Sequence, residues 1–240
     1  MSRVLPHPGA VGGEQQPAGK SGALRAAIFG VNDGLVSNLS LIMGVAGARV
    51  SNHVILLAGV AGLLAGAFSM AAGEYISMRV QREVFERLIH LEAHELATEP
   101  EEELEELAAI YRSKGLPPEL ATEVATALMR DPQIALETHA REELGLDPEQ
   151  LGSPWGAAGS SFVTFAFGAF VPLVPFLITS GTTAVVWSAT LSALTLFVVG
   201  ALVSIITGKR VWFAGLRAVL VGAAAATTTF LIGRLIDAGL

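Results

Sequence analysis

Apolar residues in this chain fall into five long runs and one wide gap. The runs cover roughly residues 24–48, 54–78, 155–178, 184–207 and 211–236, and each approaches or exceeds the ~20 residues an α-helix needs to cross a bilayer. Short polar breaks separate neighbouring runs: Arg49 to His53, Thr179 to Thr183, and Gly208-Lys209-Arg210. The pattern predicts an all-α membrane protein with five transmembrane helices and its termini on opposite sides. Within the third run Pro172 and Pro175 interrupt the helix, which a membrane tolerates where neighbouring side chains satisfy the freed carbonyls.

The gap, residues 79–152, has apolar positions at helical spacing instead of a continuous run. No Gly or Pro occurs between Gly73 and Pro100, so the second span is expected to continue into water as one rod, about 1.5 Å per residue and on the order of 35 Å long. Thr98-Glu99-Pro100-Glu101 has the spacing of a capping box. It should open a short helix with Leu104, Leu107, Ala108 and Tyr111 on one face, stopped by Gly115. Pro117-Pro118 starts a second helix with Leu120, Val124 and Leu128 on one face, and Asp131-Pro132 a third that ends at Gly145. The domains expected are a disordered tail (1–23), two spans (24–78), an acidic helical metal-binding segment (79–152) and three spans (153–240).

Charge sharpens this division. Residues 79–152 hold 18 acidic and 7 basic side chains, a net of −11, while the rest of the chain holds 4 and 8, a net of +4. The total of −7 therefore averages two opposite regions. No basic stripe suggests nucleic-acid binding. The short basic segments, Lys20 with Arg25, Arg79 with Arg82 and Arg87, and Lys209 with Arg210, fall on one side of the predicted topology. Such segments favour the cytoplasm, so the N-terminus and the acidic segment are expected there. A hydrophobic content of 52% and a mean hydropathy of +0.55 fit a membrane protein. No cleaved targeting segment is expected in the first 23 residues. The absence of cysteine excludes disulfides, thiolate metal sites and cysteine nucleophiles.

Metal chemistry must then come from oxygen, imidazole or thioether. Glu92 and Glu95 share a face of the rod, Glu103 and Glu106 share a face of the next helix, and the two pairs converge if the helices fold back on each other. Glu142 and Glu143 add carboxylates from the last helix, with His139 one turn before Glu143. Hard carboxylates suit Mg²⁺, Ca²⁺ and Mn²⁺, and imidazole or thioether extends the set to ferrous iron. Inside the first span Asp33 is a carboxylate where ionisation costs roughly 2.5–3.5 kcal/mol or more. Asn32, Ser37, Asn38, Ser40 and Gly44 form a polar and small stripe around it, suited to a path or to a close helix contact. Met70 and Glu74, one turn apart on the second span, and Met43 on the first add thioether and carboxylate. Glu-x-x-His, needed on two helices of a di-iron oxidase bundle, occurs nowhere. No nucleotide-binding loop or hydrolase motif is present in a usable context. An enzyme is not expected.

The run Gly30-Val31-Asn32-Asp33-Gly34-Leu35-Val36-Ser37-Asn38, followed by Gly44-Val45-Ala46-Gly47-Ala48, closely resembles the first-span signature of the vacuolar iron transporter family. Ser69-Met70-Ala71-Ala72-Gly73-Glu74-Tyr75 resembles its second-span signature, and Gly168 to Phe176 and Gly215-Leu216-Arg217 with Gly222 and Gly233 resemble its later spans. The resemblance implies a five-span homodimer with its path between the two first spans, exchanging protons for Fe²⁺ or related divalent metals such as Mn²⁺. It implies that Asp33 and Met70 serve the path, that Glu74 lies near its mouth, and that Glu92, Glu95, Glu103, Glu106 and Glu143 bind metal. Where plant members carry two methionines just before the last glutamate, this chain has His139 and Ala140.

The resulting expectation is proton-coupled export of ferrous iron or manganese from the cytoplasm. Co²⁺ and Zn²⁺ fit the same donors, and no prosthetic group is expected. The partners are divalent cations, protons, the lipid bilayer and a second copy of the chain. The membrane would be the cell membrane in a prokaryote and a vacuolar-type membrane in a eukaryote. The alternative is a membrane-anchored metal buffer or sensor without transport.

Overall fold

The computed structural model describes residues 20–146, 152–206 and 210–239. Among them it contains helices and no strand: α1 (Lys20–Gly47), α2 (Asn52–Thr98), α3 (Pro100–Ser113), α4 (Pro118–Leu128), α5 (Pro132–Glu142), α6 (Pro154–Phe170), a 3₁₀ turn (Val171–Leu173), α7 (Val174–Ile178), α8 (Gly181–Ile206) and α9 (Val211–Asp237). Five helical stretches are long and apolar enough to cross a membrane, with α6, the 3₁₀ turn and α7 together making the third. The expected tail lies outside the described residues up to position 19. Its last four residues, 20–23, belong instead to the first turn of α1. Gly208 and Lys209 of the last predicted turn also lie outside the described residues.

The chain divides into two compact units, Lys20–Ile76 with Pro154–Leu240, and Ser77–Ser153. In the first, α1 packs along α6 and α9 and touches α8, while α8 and α9 pack together. Glycine permits these approaches. A Cβ on Gly34 would overlap the Phe165 carbonyl, and one on Gly233 would overlap the Gly44 carbonyl, so the helices meet backbone to backbone as small residues allow in membranes. Gly44 therefore belongs to a helix contact. Ile42, Ile55, Leu173, Phe176 and Ala184 form one apolar cluster, and Ala67, Phe165 and Ala169 another. Large apolar side chains such as Leu57, Phe68, Val198 and Leu220 point outward and are exposed, as helices do when lipid is the solvent.

The broken third span is held by its neighbours. Asn38 Nδ2 on α1 donates to the Ala169 carbonyl at 2.6 Å, Asn52 Nδ2 on α2 donates to the Phe176 carbonyl at 3.0 Å, and Ser188 Oγ on α8 donates to the Pro172 carbonyl at 2.7 Å. Three helices thus satisfy a stretch where two prolines withhold their N–H donors.

In the second unit the turn chemistry explains most boundaries. Gly115, at φ +98°, ends α3 in the left-handed region, and Leu116 N–H donates to the Tyr111 carbonyl. Asp131 caps α5 through its side chain, accepting from Gln133 N at 2.9 Å and Ile134 N at 3.4 Å. The capping box at Thr98 does not form. Thr98 Oγ1 donates back to the His94 carbonyl at 2.9 Å, inside the last turn of α2, and α3 starts at Pro100 without a side-chain cap. Its first turn carries Glu101, Glu102 and Glu103, which complement the positive end of the helix. Leu107, Ala108 and Ala125 form the small core, with Leu104, Tyr111, Leu128 and Met129 around it. Leu120 is turned out and exposed, and Ala121 and Ala125 are the buried positions of α4. Alanine there lets α3 and α4 approach closely.

Candidate metal sites

Two groups of polar side chains stand out, one in each unit. In Ser77–Ser153, Glu92 on α2, Glu103 on α3, and His139 with Glu143 one turn apart at the end of α5 bring one ligand atom each to within 4.8 Å of one another. His139 is fully buried, and Glu92 and Glu103 are buried at 2% and 7% exposure. The chain reversal at Glu99-Pro100 carries Glu103 back toward the face of α2 that holds Glu92.

Three carboxylates converge on a single ring nitrogen. His139 Nδ1 lies 2.9 Å from Glu92 Oε1, 3.3 Å from Glu103 Oε2 and 3.7 Å from Glu143 Oε2. One N–H can serve at most one of them well. Glu92 Oε1, Glu143 Oε2 and both nitrogens of His139 are buried without a well-aligned hydrogen bond among the described residues. The contacts of Nδ1 are close but poorly directed, as expected where oxygens gather about a shared positive centre. Without a metal the group needs protons. Burial, then the negative charge of Glu92, pushes the Glu103 carboxyl up to about 7. Burial works against protonated His139, but contacts to Glu143 and Glu92 and the charges of Glu92 and Glu103 outweigh it and hold the imidazole up to about 9.

The remaining acidic candidates lie outside this group. Glu95 is half-buried, and Glu106, also half-buried, contributes its charge to the upward shift of Glu103. Glu142 is turned to Lys114, with which it forms an ion pair.

In the membrane-spanning unit a cavity of about 340 Å³ is lined by residues of α1, α2 and α6, among them Asp33, Ser37, Asn38, Ser69 and Met70. Gly62, Gly66, Leu41 and Phe165 complete the wall. Asp33 and Met70, from different spans, therefore face one space. Met43 is buried at 4% exposure away from this lining, and Glu74 is half-buried and also outside it. The polar stripe of α1 is split: Ser37 and Asn38 face the cavity, while Ser40 Oγ donates to the Val36 carbonyl of its own helix. Ser69 and the two glycines of α2 had no chemical signal in the sequence to mark them as lining.

The VIT family model matches residues 24–234, which reach into all five spans and include every residue of both groups. The chain belongs to the VIT family. Among curated VIT proteins it is 31% identical to vacuolar iron transporter 1 of Arabidopsis thaliana over 215 residues, covering 89% of this chain and 86% of that protein. It is 39% identical over 167 residues to the vacuolar iron transporter of Acanthamoeba castellanii, covering 69% and 60% of the two. Over a shorter stretch of 78 residues, 32% of this chain and 38% of the relative, it is 49% identical to vacuolar iron transporter homolog 5 of Oryza sativa. Membership in the VIT family, with five apolar helices, makes the chain an integral membrane protein for metal ion transport.

Proposed function

We propose that this protein is a proton-coupled exporter of Fe²⁺, with Mn²⁺ as an alternative ion, working as a homodimer whose acidic segment captures the ion on the cytoplasmic side. The observation that carries the reading is the cavity shared by Asp33 and Met70 among three spans. A carboxylate in a membrane needs a function, and proton and divalent metal compete for the same oxygens, so a single acid couples the two flows. Met70 adds a thioether suited to ferrous iron over harder ions. The relatives named as vacuolar iron transporters support iron as cargo. In the acidic segment Glu92, Glu103, Glu143 and His139 supply three carboxylates and one imidazole, a set that fits Fe²⁺ and Mn²⁺.

The test is metal uptake into proteoliposomes driven by a pH gradient, largely lost in Asp33→Ala. Equal uptake by that variant would sink the assignment of the path. A second reading, a metal buffer without transport, is supported by one observation: the four ligands of the acidic segment lie wholly within one compact unit. It predicts metal binding with no flux in the same liposomes.

A further inference from the structure

One residue of the cavity wall carries an oxygen that the described residues leave without a donor. Asn38 is 2% exposed, and its Nδ2 donates to the Ala169 carbonyl at 2.6 Å. A carbonyl only accepts, so the nitrogen of the amide must face Ala169 and the oxygen must face away from it. That oxygen, Oδ1, is buried with no hydrogen-bond partner among the described residues, an arrangement that is disfavoured unless something else serves it. Asn38 lines the same cavity as Asp33, Ser37, Ser69 and Met70. Beside the oxygen stands Gly62, where an added Cβ would come within 2.9 Å of Oδ1 and overlap the end of Leu41. The second span thus lacks a side chain at Gly62, beside this oxygen.

We propose that Asn38 Oδ1 is a ligand for the divalent cation in this cavity, aimed there by the bond from its own amide nitrogen to Ala169. The assignment rests on the reading that the cavity takes a divalent cation. Amide oxygens are ordinary ligands of hard and borderline cations. A neutral oxygen also adds affinity without a second negative charge, so Asp33 remains the only acid among the described residues that line the cavity. The tie to Ala169 couples ligand position to the third span next to its 3₁₀ turn.

The test is equilibrium binding of ⁵⁴Mn²⁺ to the full-length protein in detergent, in a background of Glu92→Gln, Glu103→Gln and Glu143→Gln that weakens binding outside the spans. Asn38→Leu, which removes oxygen and donor, should weaken the remaining site about tenfold, whereas Asn38→Asp, which keeps oxygen and loses the donor, should hold or tighten it. Gly62→Ala leaves the amide in place and crowds its oxygen, and should weaken binding severalfold even where Asn38→Leu fails to fold. Unchanged binding in Gly62→Ala and in folded Asn38→Leu overturns the proposal. Equal weakening by Asn38→Leu and Asn38→Asp also overturns it, because the amide would then serve only as a clamp on Ala169. Flux separates this proposal from the transport reading. Absence of wild-type uptake with the binding contrast intact overturns transport and supports the ligand, while uptake with an unchanged KM in Asn38→Leu overturns the ligand alone.

Discussion

The two polar groups of this protein solve opposite problems. The group in the acidic segment packs three carboxylates around a buried imidazole, whereas the cavity among the spans holds one carboxylate, a thioether and neutral oxygens. Dense charge in a small volume favours holding a cation. Sparse charge favours letting it go, and a conducting site must bind strongly enough to admit an ion yet weakly enough to release it. The difference also explains what each group does without metal. The acidic group holds protons more tightly than its free side chains would, at Glu103 and at His139, while among the described residues the cavity lining has a single acid and no other ionisable group.

The largest effect that could break this comparison is expected at Asp33. Asp33→Ala should lower flux into proteoliposomes by at least about 100-fold, roughly 2.7 kcal/mol, and leave high-affinity Mn²⁺ binding by the acidic group unchanged. Parallel loss of both would mean that the two groups are not separate sites. The next effect belongs to the centre of the acidic group. His139→Ala leaves the buried Glu92 and Glu103 and the half-buried Glu143 without their cation and should destabilise the segment by about 3–5 kcal/mol, measured as loss of hydrogen-exchange protection in α3 and α5. Retained protection there would show that the carboxylates are not held together by the imidazole.

Parts of this contrast are visible in the residues taken one by one, and parts are not. The five apolar runs, the left-handed stop at Gly115 and the cap at Asp131 are local signals, because each depends on a few consecutive residues. Thr98 misleads because a hydroxyl at a helix boundary has two acceptable partners, and the end of α2 takes it before the start of α3. Leu120 misleads because alanines on the next positions allow closer packing than leucine. Glu142 and Glu143 are adjacent in sequence and equal in chemistry, yet Lys114, 28 residues away, takes one and leaves the other near His139. Asn38 and Gly44 sit on one polar stripe of α1, but which faces a cavity and which faces α9 depends on helices more than a hundred residues later. Periodicity gives the faces of a helix without saying what each will meet.

Protons provide a finer test. Both shifted groups are raised, so the sign is the same for each. Protonation of Glu103 stabilises the metal-free fold fully below its ordinary value and is lost as pH rises through about 7; protonation of His139 likewise stabilises it fully below its own ordinary value and is lost as pH rises through about 9. The metal-free segment should therefore melt at lower temperature as pH rises from about 5 to about 9. Metal must displace these protons, so affinity should rise across that window, with up to two protons released per ion in calorimetric titrations in buffers of different ionisation enthalpy. In Glu103→Gln, which resembles the protonated acid, the lower part of the melting trend should vanish while Mn²⁺ affinity falls at least about tenfold. Unchanged affinity would remove Glu103 from the ligand set.

The smallest expected effect concerns sulfur, a donor type that the acidic group lacks. Met70 lines the cavity, whereas Glu92, Glu103, Glu143 and His139 include no sulfur. Met70→Leu nearly conserves volume and shape, so the span should fold with less than about 1.5 kcal/mol lost. What disappears is a soft donor, which favours Fe²⁺ and Co²⁺ over Mn²⁺. The ratio of Co²⁺ to Mn²⁺ flux should fall a few-fold, about 1 kcal/mol of preference, while the ratio of the two ions' affinities for the acidic group stays as it was. A shift in both ratios would mean that one selectivity is shared by the whole protein. A shift in neither would make Met70 a wall of the cavity, and the discrimination among ions would then fall to Asp33 and the neutral oxygens around it.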